Sequence, residues 1–72
     1  MVNVQKLKGK MVEQGFNISS FAEAIGVDKS TLYRRFDDGG QSFTIGEIER
    51  MAEVLVLTSE EIHSIFFTKS VA

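Results

Sequence analysis

The stretch Phe21-Ala22-Glu23-Ala24-Ile25-Gly26-Val27-Asp28-Lys29-Ser30-Thr31-Leu32-Tyr33-Arg34-Arg35-Phe36 constrains the fold more than any other part of this chain. Its pattern is the one required by two short helices that cross steeply through a tight turn. Ala22 is small enough to let the second helix approach the first. Gly26 can take the positive φ that ends the first helix. Val27 plugs the corner, and Asp28 can cap the helix that follows. That second helix buries Leu32 and Phe36 and turns Lys29, Ser30, Tyr33 and Arg34 outward.

The rest of the chain extends this pair into an all-α domain of five helices joined by short turns. The first covers about 4–14, with Val4, Leu7 and Met11 on one face; Gly9 weakens it and Gly15 is a natural stop. Asn17 caps a helix running to Ile25, whose inward side chains are Ile18, Phe21, Ala22 and Ile25. Asp28 caps the third, to about Phe36, and Asp37-Asp38-Gly39-Gly40-Gln41-Ser42 reads as a loop. Thr44-Ile45-Gly46-Glu47 and Thr58-Ser59-Glu60-Glu61 are capping boxes, in which threonine and glutamate satisfy each other's backbone N–H. The first opens a helix over about 44–56 with Ile45, Ile48, Ala52 and Leu55 on one stripe. The second opens a helix over about 58–67 with Ile62, Ile65 and Phe66 inward. Only Val54-Leu55-Val56-Leu57 looks β-like, and it continues a helical stripe.

With 72 residues, 1–72 is a single domain near the size where one core is only just sufficient. No cysteine is present, so neither a disulfide framework nor a thiolate zinc site can support it. A reducing, cytoplasmic setting fits. No apolar run approaches the roughly 18 residues of a membrane span, and Lys6, Lys8 and Lys10 precede no apolar block of a signal peptide.

The net charge of −2 argues at first sight against a polyanionic partner. The distribution reverses that argument. Residues 1–36 carry six basic and three acidic side chains, whereas residues 37–72 carry two basic and seven acidic. The chain is a dipole whose positive half contains the outward face of the third helix.

Lysine or arginine can pair with guanine, serine reads bases more loosely, and tyrosine can contact phosphate or a thymine methyl. Lys29, Ser30, Tyr33 and Arg34 are therefore candidate base-contacting residues in a DNA major groove, although such corners also occur as purely structural elements. Arg35 points elsewhere, as a phosphate contact or a plain surface charge. Helix N-termini bind phosphate oxygens, which makes Asn17, Ser19 and the Gln41, Ser42 to Thr44 stretch candidate backbone clamps; simple capping explains them nearly as well.

Other features lead away from chemistry. His63 has no partner at metal spacing, and Asp37-Asp38 lacks the alternating oxygen ligands of a calcium loop. No nucleophile–base pair and no phosphate-cradling glycine motif is present, so the expectation is a non-enzyme without metal, cofactor or small-molecule ligand. Phe66 and Phe67 are adjacent and cannot both face one core on the same side. Either one is exposed as a dimer contact or both pack on the core's rim.

From Leu7 to about Phe66 the chain resembles the Cro and phage-repressor (XRE-type) helix-turn-helix family. The residues that carry the likeness are Phe21-Ala22, Gly26-Val27, Leu32 with Phe36, and Ile48-Ala52-Leu55 running into Leu57-Thr58-Ser59-Glu60-Glu61-Ile62. The resemblance implies a compact five-helix lambda-repressor-like domain, forming homodimers at least on DNA and binding pseudo-palindromic operators. It places Lys29, Ser30, Tyr33 and Arg34 at base-reading positions, with Thr31 as a phosphate contact. The corner is also similar to that of the TetR family, but the lysine-led helix that follows there is absent. The acidic loop at Asp37 and Asp38 departs from the basic phosphate contacts of many repressors.

Two functions are therefore expected of such a chain. One is a phage- or prophage-type transcriptional regulator on double-stranded DNA in the bacterial cytoplasm and nucleoid. The other is a protein-binding module on the same fold, such as an antirepressor or antitoxin-like partner, motivated by the acidic half and Phe67.

Overall fold

The computed structural model describes residues 2–67. Five helices follow in order: α1 Val4–Glu13, α2 Ile18–Ile25, α3 Lys29–Asp37, α4 Ile45–Val54 and α5 Ser59–Phe66, with no strand among the described residues. Asp37, expected in the loop, instead closes α3.

Local chemistry explains the helix starts. The Thr44–Glu47 and Thr58–Glu61 boxes are both reciprocal, each threonine side chain accepting the glutamate N–H and each glutamate accepting the threonine N–H. Asn17 forms a third such box with Ser20, at the third helical position of α2. Asn3 caps α1 by accepting from the Lys6 N–H at 3.1 Å. Asp28 is the exception. It occupies the N-cap position of α3 in extended backbone, yet its side chain accepts no hydrogen bond from the helix.

The ends of α1 to α4 share one geometry. At the end of α2, Val27 N–H donates to the Ala22 carbonyl and Gly26 N–H to that of Glu23, with Gly26 at φ +80°. This closure satisfies carbonyls that the last turn leaves orphaned. The end of α4 repeats it, with Leu57 N–H on Ala52 and Val56 N–H on Glu53, but the left-handed residue is Val56 at φ +53°.

The core is built from Leu7 and Met11 of α1, Phe21, Ala22 and Ile25 of α2, Leu32 and Phe36 of α3, Met51 and Leu55 of the α4 end, and Ile65 and Phe66 of α5. Val27 packs against this cluster at the corner. No polar or charged residue is buried among those described. α2 packs on both α3 and α4, while α1 packs on α5. The second contact is bordered by polar links: Lys6 Nζ donates to Ser64 Oγ at 2.8 Å, and Lys10 pairs with Glu61.

One stripe is rotated from expectation. Ile45 is 77% exposed, Ile48 and Ala52 are half-buried, and Met51 is fully buried. Three residues advance a helix by slightly less than one turn, so Ile45 lies roughly 60° round the axis from Ile48. In the first turn of α4 that offset carries it past the edge of the core. Met51 and Leu55, four apart, form the true inward seam.

Candidate nucleic-acid interface

Leu32 and Phe36 fix α3 to the body by one face, and its first two turns present the opposite flank. Lys29, Ser30, Tyr33 and Arg34 are all exposed there. Lys29, Ser30 and Tyr33 have no side-chain hydrogen bond or ion pair among the described residues, and Arg34 reaches only the Thr31 hydroxyl at 3.4 Å. Lys29 and Tyr33 line a shallow cleft with Asn17, Ile18 and Ser19 at the start of α2. Two of the four base-reading candidates and two backbone-clamp candidates thus share one cleft, while Ser30 and Arg34 are exposed on α3 outside it. Ile18 joins the cleft as its apolar floor; its place on the inward face of α2 concealed this in the sequence.

The turn that aims α3 is clasped from behind. Arg50 of α4 donates from Nη1 to the Ile25 carbonyl at 3.2 Å, across the last turn of α2. A Cβ at Gly26 would lie 2.8 Å from that same nitrogen. Gly26 is required by its left-handed backbone, and any side chain there would also displace the Arg50 guanidinium.

Arg35, expected as a phosphate contact or free surface charge, is neither free nor on that flank. Its Nε and Nη2 donate to the two oxygens of Glu47 at 3.1 and 2.8 Å, a bidentate pair joining α3 to the start of α4. Burial pushes the Glu47 carboxyl up, but the Arg35 bond, the Thr44 N–H and the Arg35 charge outweigh it and hold the group below the usual carboxylate range. Nothing in the sequence marks two residues twelve apart as partners.

Gln41 and Ser42 are also turned to internal work. The Asp38 carboxylate accepts from the N–H groups of Gly40 and Gln41 at 3.0 and 3.1 Å and from the Ser42 hydroxyl. The Ser42 bond, with those backbone donors, holds the Asp38 carboxyl below its usual range. This acidic knot takes the donors that a phosphate would need.

The adjacent phenylalanines separate cleanly. Phe66 enters the core and is unavailable as a dimer contact, whereas Phe67 is 53% exposed, its ring 6.5 Å from that of the exposed His63. No group of three or more histidine, cysteine or acidic side chains placed to hold a metal occurs among the described residues. No described helix is long and apolar enough to cross a membrane.

No known family matches this chain, and no curated protein or solved structure matches it.

Proposed function

We propose that this chain is a sequence-specific regulator that binds double-stranded DNA by setting α3 into the major groove. The observation that carries the reading is how the cations are spent. Lys6 is bonded to Ser64, Lys8 lies over the Phe36 ring, Lys10 pairs with Glu13 and Glu61, Arg35 with Glu47, and Arg50 with the Ile25 carbonyl. Among the described residues Lys29 is the one cation without a partner, and Arg34 meets only the Thr31 hydroxyl of its own helix; the two stand five residues apart on the exposed side of α3. A helix carrying two such cations with a serine and a tyrosine beside them suits guanine-edge and phosphate recognition.

In this reading Lys29 and Arg34 address base edges, while Asn17 and Ser19 rest on the phosphate backbone beside them. A pseudo-palindromic operator takes two copies, one per half-site, with half-sites roughly 10 bp apart centre to centre. The chemistry needs no cofactor, and the setting is the bacterial nucleoid. Acidic residues elsewhere on the surface repel the duplex and keep affinity modest, while each phosphate contact makes binding weaken as salt rises.

The test is selection of bound sequences from random duplex, followed by titration of Arg34→Ala on the selected site and on random duplex. The variant should lose about 1–3 kcal/mol on the selected site and relax preference at one base pair. Equal losses on both duplexes would reject base reading, and absence of any enriched sequence would reject the function.

A further inference from the structure

A second surface shares no residue with the α3 cleft. Between α4 and α5 runs an open groove of about 330 Å³ whose floor is Ile45, Ile48 and Ala52 on one wall and Ile62 and Phe67 on the other. The α4 wall follows helical spacing, one stripe about two turns long. Ile45 and Phe67 are the two large apolar side chains most exposed along it.

Charge decides what fits. Glu49 and Glu53 also line the groove, and neither carboxylate has a hydrogen bond or ion pair among the described residues. Among the described residues no lysine or arginine lines it. A second copy docked symmetrically through this surface would bring the same two glutamates to both sides of the contact, with no cation in return. An anionic polymer would meet the same carboxylates.

We propose that the α4–α5 groove docks a cationic amphipathic helix from a different protein. Its aliphatic side chains, at spacings of three and four, would fill the floor between Ile45 and Phe67. Its flanking lysines or arginines would pair with Glu49 and Glu53. Helix-in-groove recognition works in this way, with apolar anchors supplying affinity and rim charges supplying choice of partner. The proposal stands independently of DNA binding, because it rests on other residues.

The experiment selects binders to the full chain from a displayed library of random peptides about 16 residues long. Enriched peptides should combine aliphatic residues at helical spacing with flanking lysine or arginine. Glu49→Lys with Glu53→Lys should weaken them about tenfold at low ionic strength, and the milder Glu49→Gln with Glu53→Gln should weaken them less. Amide shift changes on binding should fall within 45–53 and 62–67. Enriched peptides without basic bias, binding undiminished by charge reversal, shifts centred elsewhere, or no enrichment would each overturn the proposal. So would a solution dimer, seen by sedimentation, that Ile45→Asp abolishes.

Discussion

Replacing Gly26 with alanine isolates the two demands made at the corner between α2 and α3. The first is conformational. Gly26 sits at φ +80°, ψ 28°, and placing a residue with a Cβ in the left-handed region costs about 1–2 kcal/mol. The second is spatial. The new Cβ would stand 2.8 Å from Arg50 Nη1, so the guanidinium must withdraw from the Ile25 carbonyl. A hydrogen bond from a charged donor is worth about 1.5–3 kcal/mol, and Arg50 is largely exposed, which brings the loss to about 1 kcal/mol. The expected total is about 2–3 kcal/mol, a large share of the stability of so small a domain. Thermal unfolding should fall by about 10 °C or more, at roughly 4–8 °C per kcal/mol. Urea unfolding followed by circular dichroism measures the free energy directly. The decisive arm is Arg50→Met, which keeps an apolar stem but removes the guanidinium. In that background Gly26→Ala should cost only the backbone term, leaving a coupling of about 1 kcal/mol. Equal costs in both backgrounds would refute the clasp, and a Gly26→Ala variant as stable as the parent would refute both arguments.

Val56 makes the opposite case: at φ +53° and 76% exposed, it carries strain without packing. Val56→Gly should stabilise the domain by about 0.5–1 kcal/mol, read as a rise of a few degrees in unfolding temperature. Glu61 is held at about 2, below its ordinary 4.5, by the Lys10 ammonium and by the Thr58 N–H. Because the folded value is the lower one, its contribution is complete above about pH 4.5 and is lost as pH falls toward 2. Unfolding temperature measured across that window should decline, and Lys10→Met should flatten part of the decline. Ile45→Lys should change stability by less than about 0.5 kcal/mol, since an exposed side chain in a first turn leaves no cavity behind.

What could be read from residues alone divides along physical lines. The boxes at Thr44 and Thr58 and the stop at Gly26 are local, decided within four or five residues, and the helices begin and end where those signals stand. The outward set on α3 was legible for the same reason, because Leu32 and Phe36 fix the helix's rotation. Rotation of α4 was not legible. Its stripe of Ile45, Ile48, Ala52 and Leu55 overlaps a competing seam through Met51, and only packing against the other helices chooses between them. The cations show the same limit. Composition places Lys10, Arg34, Arg35 and Arg50 together as positive charge, whereas the fold consumes Lys10, Arg35 and Arg50 in bonds to residues 51, 12 and 25 positions distant. Arg35 is taken by its ion pair with Glu47 and Phe66 by burial in the core, and neighbours in sequence decide neither.

The bare flank of α3 has a consequence for how such a chain can diverge. Lys29, Ser30 and Tyr33 form no side-chain bond among the described residues, so exchanging them leaves the folding free energy almost untouched. Selection for stability is blind to these three sites. A lineage can rewrite them freely while inheriting an unaltered scaffold.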